Sequence, residues 1–377
     1  MKIPCSLFTC FSAGSLKQES KHVEEGGSGE ESRFRVFSHS ELKSATRGFN
    51  SSEKVGEGGF GIVYKGRLRD GNIVAVKVLS IELESMRGER EFVAELATLS
   101  QINHQNLVPL RGCCVEAAHR YLVYDYMQNN NLHHTFLGGE ERRMRFRWEL
   151  RRDISIGVAR GLAYLHDQLN PHIVHRDIKP SNILLDQNFT PKLSDFGFAK
   201  LLRDEKSYVS TKVAGTLGYL APEYATSGQL TRKSDVYSFG VLLLEIVSGQ
   251  VVVDAYEDTD RFLVEKVWAA YRSENLIRMV DPVLKTAFEE EEAIRFLRVG
   301  LLCVQETARL RPRMTEAVEM LSNKIEMGGI EISKPGFVAD LRNVKMRHQL
   351  PIIHESTSSS SGAHYGNSFW SSANLGR

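Results

Sequence analysis

Two polar stretches in this chain carry residue types that can do chemistry together. Val174-His175-Arg176-Asp177-Ile178-Lys179-Pro180-Ser181-Asn182-Ile183-Leu184-Leu185 sets charged residues between apolar flanks, so strand-like edges hold a rigid loop. Asp177 is placed to accept a proton from a substrate hydroxyl, and Asn182 offers an amide oxygen to a hard cation. The second stretch is Leu193-Ser194-Asp195-Phe196-Gly197, whose Asp195 supplies a carboxylate for Mg²⁺ bridging phosphates. Either one alone occurs by chance as a surface turn.

Phosphates need a cradle, and Gly56-Glu57-Gly58-Gly59-Phe60-Gly61 offers one. Glycines free the backbone amides to approach where side chains would clash. A dinucleotide-binding loop opens a helix, but Gly61 is followed by β-branched Ile62 and Val63 and then a turn. A Walker A loop ends in Gly-Lys-Ser/Thr, and Ile62 breaks that pattern. A glycine loop inside a β-hairpin remains. Lys77 then interrupts the apolar strand Ile73-Val74-Ala75-Val76-Lys77-Val78, and Glu95 borders the apolar stripe Phe92, Leu96 and Leu99 of the next helix. Charges facing a core are costly unless paired. Independent snorkelling to water is the commoner fate of such side chains. Here the preceding glycine loop favours Lys77 pairing with a phosphate and with Glu95.

The elements that must position these residues change character along the chain. From Glu53 to Met127 the signals are mostly strand-like, with one helix, and the turn Arg69-Asp70-Gly71-Asn72 separates two strands. After Asn131 the period becomes helical, as in Ile154–Leu165. A small β-rich lobe followed by a larger α-rich one predicts an α+β fold with a ligand cleft at the junction. Residues 12–32 and the Ser-rich stretch around Thr357–Gly362 are too polar to offset ordering entropy. They predict flexible tails over 1–35 and 328–377 around a folded body at 36–327.

Composition excludes other classes. Of 377 residues, 42% are hydrophobic and 25% charged, which argues against a wholly disordered, fibrous or membrane-embedded protein. The 48 basic and 47 acidic side chains give a net charge of +1, so a globally basic nucleic-acid binder is not expected. The run Arg142–Arg147 has Glu140 and Glu141 beside it and reads as a solvated face. The five cysteines include no Cys-x-x-Cys pair, and with no signal peptide or membrane span the protein is expected in the reducing cytosol. Cys113, Cys114 and Cys303 read as small core residues, and His166, His172 and His175 as structural ones. Cys5 and Cys10, flanked by Ile3, Leu7, Phe8 and Phe11, read either as a pair of acylation sites giving peripheral membrane association or as inert thiols.

In order, these motifs resemble the protein kinase superfamily over roughly residues 37–327. The resemblance continues through Ala221-Pro222-Glu223, Ser234–Gly240 and Arg309-Leu310-Arg311-Pro312. It implies a bilobal fold, with an antiparallel β N-lobe and one regulatory helix over 36–127 and a helical C-lobe over 128–327. ATP and Mg²⁺ are the implied cofactors. Val55, Gly56, Glu57, Gly58, Gly59, Phe60, Gly61, Ile62 and Val63 would cover the nucleotide, and the adenine would sit against Asp125-Tyr126-Met127, with Tyr124 controlling depth of access. Asp177, Lys179, Lys77 and Glu95 are the implied catalytic set, and Asn182 and Asp195 the metal ligands. Glu223 would pair with Arg311, and Asp235 would brace the catalytic loop.

Lys179 and Gly215-Thr216-Leu217-Gly218-Tyr219 resemble the serine/threonine class, a pattern that leaves dual specificity toward tyrosine open. Arg176 would receive a phosphate from the segment containing Ser207, Tyr208, Ser210 and Thr211, with Ser210 and Thr211 favoured, and Thr216 belongs to the same regulatory region. Phe198 stands where the family usually has Leu and predicts a repacked core. Phe37–Leu42 and Ala45–Phe49 look like the lead-in of plant receptor-like kinases, so the chain resembles a receptor-like cytoplasmic kinase, with protein substrates and an upstream receptor kinase as expected partners. Ser38 and Glu41 are spaced for a capping box. A pseudokinase scaffold predicts loss of Lys77, Asp177 or Asp195, and none is lost. A small-molecule kinase of similar fold fits poorly with the Thr216 loop and Ala221-Pro222-Glu223.

Overall fold

The computed structural model describes residues 34–58, 61–79, 87–203, 208–252 and 263–336; Cys5, Cys10, Gly59, Phe60 and Ser207 lie outside them. The first part of the chain forms β1 (Arg35–Val36), α1 (His39–Ala45), β2 (Lys54–Gly58), β3 (Gly61–Arg67), β4 (Ile73–Leu79), α2 (Arg87–Leu99), β5 (Leu110–Glu116) and β6 (His119–Asp125). Its strands make one sheet in the order β1-β5-β6-β4-β3-β2, antiparallel except for the β1–β5 pair. The β3–β4 turn follows from its residues: Asp70 Oδ1 accepts from Asn72 N, and Gly71 takes φ +90°.

Strand alternation sorts the side chains of this sheet onto two faces. Val74 and Val76 of β4, Tyr121 and Val123 of β6 and Cys114 of β5 pack with Phe37 and Leu42 of the N-terminal lead-in. Lys77 and Leu79, Leu122 and Tyr124, and Cys113 take the opposite face, where Phe92, Leu96 and Leu99 of α2 cover part of it, as the apolar spacing predicts. Ser38 caps α1 by accepting from Glu41 N at 3.1 Å. The expected box is half made, because the Glu41 carboxylate turns instead to Arg35. His39 anchors α1 to the sheet: its Nδ1 lies 3.0 Å from the Tyr121 hydroxyl, which lies 2.9 Å from His119 Nδ1.

The second part runs α3 (Leu132–Thr135), α4 (Glu140–Arg143), α5 (Trp148–Ala163), β7 (His172–Val174), β8 (Ile183–Leu185), β9 (Pro191–Leu193), β10 (Lys200–Leu202), β11 (Val209–Ser210), α6 (Pro222–Ser227), β12 (Gln229–Leu230), α7 (Arg232–Ser248), α8 (Leu263–Arg272), α9 (Glu290–Cys303) and α10 (Met314–Leu321). Together the two parts give the expected α+β, two-lobed architecture. Helix α7 is buried from Ser234 to Ser248, and α5, α8 and α9 pack about it. Burial pushes the Cys114 and Cys303 thiols up to about 12, in keeping with inert core cysteines.

Two boundaries differ from the compositional reading. Residues 34–35, assigned to the N-terminal tail, include the start of β1, whose Arg35 and Val36 lie opposite Gly112 and Cys113. Residues 328–336, assigned to the C-terminal tail, pack on the C-lobe: Ile332 is buried, Gly336 N donates to Val304 O, and the Tyr237 hydroxyl donates to Gly336 O. Both segments are too polar to predict a core but need only one or two side chains and backbone hydrogen bonds to dock. The basic run 142–147 is also not purely a solvated face. Arg143 pairs with Asp281, and Asp281 is also bonded to fully buried Arg151 at 2.8 Å.

Candidate active site

The face of β4 that carries Lys77 looks into a cleft of about 600 Å³ between the lobes. Helix α2 presents Glu95 from behind, and the turn after β9 presents Asp195 from below. Lys77 Nζ donates to Glu95 Oε2 at 2.8 Å and to Asp195 Oδ1 at 2.9 Å. Burial alone would lower the lysine pKa, but the two carboxylates hold it well above its ordinary value. Burial likewise works against ionised Asp195, and Lys77 overcomes it, keeping that carboxyl below the usual range. The Lys77 ammonium and the Asp195 carboxylate are therefore charged at neutral pH.

Val55, Gly56, Glu57, Gly58, Gly61 and Val63 line the cleft roof. Ile62, expected beside them, does not. It pairs opposite Val78 between Gly61 and Val63, so the period of two turns its side chain to the other face. Asp125 and Met127 line the linker end. Arg111 engages the Asp125 carboxylate, with Nη2 3.1 Å from Oδ2. Tyr124 is buried beside Glu95, and burial, reinforced by that carboxylate, raises its hydroxyl well above the usual phenol range.

The Val174–Asn182 loop is held by a buried carboxylate on α7. Asp235 Oδ2 accepts from His175 N at 2.7 Å and lies 2.9 Å from His166 Nε2; Oδ1 accepts from Arg176 N at 2.8 Å. Burial would raise this carboxyl, but the His166 hydrogen bond and the nearby histidines keep it low. His166 sits on a widened turn, Tyr164–Gln168, that continues α5. His175 Nε2 faces Ser194 O at 3.0 Å and its ring meets Phe196 edge-on, so both histidines are structural, as predicted. Arg176, at φ +75°, and Asp195, at φ +64°, both occupy the left-handed region. Such strain persists only where the surroundings over-determine it.

That scaffold gives Asp177 a defined setting. Its Oδ1 accepts from the Thr216 hydroxyl at 2.7 Å, and its Oδ2 lies 2.9 Å from Lys179 Nζ. Lys179 Nζ also donates to Thr216 Oγ1 at 2.7 Å. A hydroxyl hydrogen-bonded to a carboxylate with an ammonium beside it is the arrangement that general-base activation of an alcohol requires. Asn182 Nδ2 donates to both Asp177 O and Oδ2, at 2.8 and 2.9 Å, which orients the amide oxygen away from Asp177. With Asp195 it brings two oxygen ligands to the cleft, and among the described residues no group of three His, Cys, Asp or Glu forms a metal cage. This suits Mg²⁺, which takes one or two protein oxygens and completes its shell with phosphates and water.

Arg176 reaches the downstream segment at the Lys212 carbonyl, 2.7 Å from Nη2, one residue past Thr211. Ser210 is exposed and pairs with Gln229 across β11–β12, while Thr211 N donates to Gly228 O. Phe198 is half-buried and gives its carbonyl to Arg176 Nη1 at 3.0 Å. Glu223 and Arg311 form a two-pronged pair at 2.8 and 2.9 Å. The sequence reading missed two tyrosines here. Tyr219 donates its hydroxyl to buried Glu245, and Tyr224 bonds to Arg176. No local spacing marks either contact, because the partners lie 26 and 48 positions away.

A family model described as the protein kinase domain matches residues 49–321. Cold-responsive protein kinase 1 of Arabidopsis thaliana is 46% identical over 346 residues, covering 91% of this chain and 87% of that protein. A putative serine/threonine-protein kinase of Helianthus annuus is 60% identical over 242 residues, 64% of this chain and 99% of the relative. A probable LRR receptor-like serine/threonine-protein kinase of Arabidopsis thaliana is 50% identical over 308 residues, 81% of this chain but only 29% of that longer protein.

Proposed function

The chain belongs to the protein kinase family and is an ATP-dependent serine/threonine kinase, and from that premise we propose the roles of its residues and its place in a signalling relay. The hairpin from Val55 to Val63 covers the triphosphate, and Lys77, steadied by Glu95, holds its inner phosphates. Asn182 and Asp195 would hold Mg²⁺, which would neutralise charge on the phosphates. Asp177 orients the acceptor hydroxyl and takes its proton. Lys179 steadies charge developing on the transferred group. Most of the rate gain comes from positioning and electrostatics. The observation that carries this reading is the 2.7 Å hydrogen bond from the Thr216 hydroxyl to Asp177, with Lys179 contacting both. A substrate alcohol needs the same partners.

In the relay, an upstream receptor kinase phosphorylates Ser210 and Thr211, and the enzyme passes phosphate to downstream proteins. The receptor-like kinases among its relatives and the adjacency of Thr211 to the Arg176–Lys212 contact support this. Pairing of Cys5 and Cys10 for acylation would place the enzyme at the inner face of the plasma membrane. Among the described residues no helix is long and apolar enough to cross a membrane.

Incubation with labelled ATP, Mg²⁺ and a generic protein substrate tests the chemistry. Wild type is expected to label serine and threonine, and Asp177→Asn to lose about 10²–10⁴-fold in kcat while still binding nucleotide. Equal turnover by the two proteins overturns the assignment of Asp177.

A further inference from the structure

We propose that Tyr224, which lies outside the nucleotide cleft and both carboxylate loops, is a positioning residue for phosphoryl transfer: its hydroxyl is the buried junction that keeps the catalytic loop and the substrate-facing segment in register. The side chain is 1% exposed. Arg176 donates to its oxygen from Nη2 at 2.6 Å and Nε at 3.2 Å, and Ala214 N donates at 2.9 Å. The phenol proton goes to Lys212 O at 3.1 Å. A phenol has one proton and two lone pairs, so the guanidinium fork, one amide and one carbonyl use its full capacity.

The placement of these partners matters more than their number. Arg176 is bonded covalently to Asp177. Asp177 accepts from Thr216, and Thr216 follows Gly215 and Ala214, whose amide returns to Tyr224. The contacts close a ring: Tyr224 hydroxyl, Arg176, Asp177, Thr216, Gly215, Ala214 and back to the hydroxyl. Within this ring the two loops pack so closely that a Cβ on Gly215 would lie 2.6 Å from Arg176 O. Three ring members, the Tyr224 hydroxyl and the Arg176 and Ala214 N–H groups, are buried. Removing the hydroxyl opens the ring at the one member that belongs to neither loop. The loops can then shift against each other, and a displacement of about 1 Å at a reacting group costs up to about 10²-fold in rate.

Lys77, Glu95 and the roof hairpin of the nucleotide cleft lie outside this ring, which meets the cleft at Lys179 and Asn182. The expected signature of Tyr224→Phe is therefore a split. The kcat for a protein substrate falls about tenfold or more, and KM for ATP stays within about twofold. Tyr237→Phe is the matched control. It deletes another buried phenol of the same lobe, one that donates to Gly336 O at 2.7 Å and is hydrogen-bonded to no member of the ring. Full-length Tyr224→Phe and Tyr237→Phe, compared by steady-state kinetics and thermal unfolding, decide the matter. Lowered kcat in Tyr224→Phe alone, beyond the loss explained by its folded fraction at assay temperature, supports the proposal. An unchanged kcat, an equal loss in both variants, or a KM for ATP raised in step with the lost kcat overturns it.

Discussion

Two loops face each other across the cleft. Strand β2, leading into the glycine hairpin, is exposed at every position but one, whereas residues 173–180 of the catalytic loop are all buried. A Cβ added at Gly56 or Gly58 meets nothing within 4 Å. The catalytic loop is fixed by Asp235, by His175 on Ser194 O and by Asn182 bridging back to Asp177. Strand β2 has open space around its glycines, and the other loop is fixed by buried contacts within the protein. The difference places preorganisation in the loop that carries Asp177 and not in the glycine hairpin.

Breaking the rigid side has the largest expected effect. Asp235→Ala strands His175 N, Arg176 N and His166 Nε2 in a buried site, at about 1–3 kcal/mol for each unsatisfied donor. Urea unfolding is expected to show a loss of several kcal/mol. The surviving folded protein is expected to have kcat reduced by about 10²-fold, because the left-handed Arg176 is no longer held. A variant with wild-type turnover and stability would show that the loop is rigid for another reason.

The glycine hairpin predicts a contrast within itself. Gly61 lies at φ +135°, and a Cβ there would sit 1.9 Å from Val78 O, a backbone atom that cannot yield. Gly61→Ala is expected to destabilise the N-lobe by about 2 kcal/mol or more. Gly58→Ala is expected to leave stability within about 0.5 kcal/mol and to raise KM for ATP several-fold. Thermal unfolding and initial rates separate the two. Equal unfolding temperatures would mean that β3 and β4 do not hold the spacing described.

The smallest effect is a pH slope. Burial pushes Glu245 up to about 8, against the hydrogen bonds it accepts from the Tyr219 hydroxyl and Val252 N. Its neutral form is thus favoured in the folded state. The stabilisation is complete below the unfolded carboxyl pKa near 4.5 and is lost as pH rises through about 8. Glu245→Gln, neutral throughout, is expected to flatten the decline in stability between pH 5 and pH 8. Parallel wild-type and variant curves would show that Glu245 titrates normally.

Legibility in the sequence followed chemistry at short range. The Asp177–Asn182 loop, Asp195, the glycine hairpin and Lys77 are recognisable because each is a short local string and the strings occur together, in order. The two lobes were legible because the hydrophobic period changes near residue 130. Ile62 was misplaced because adjacency in a string ignores the pleat, which gives alternate residues to opposite faces. Tyr224 and the His166–Asp235 contact were illegible because each joins positions far apart, and only the assembled C-lobe brings them within hydrogen-bonding distance. Residues 328–336 went unread because one buried isoleucine does not register in a window of polar neighbours.

The short strand at Arg35–Val36 has a practical outcome. The kinase-domain match begins at residue 49, but the outer margin of the six-stranded sheet is sealed by Arg35 and Val36 against Gly112 and Cys113, followed by Phe37 N donating to Cys113 O at 2.8 Å. A recombinant fragment cut at the homology boundary would bare the edge of β5 at Gly112 and Cys113 and uncover the apolar surface under Phe37 and Leu42. Unsealed margins recruit strands from other molecules. Fragments for expression should therefore begin before Phe34, and clumping by shorter ones would reflect the missing selvedge, not an unstable catalytic body.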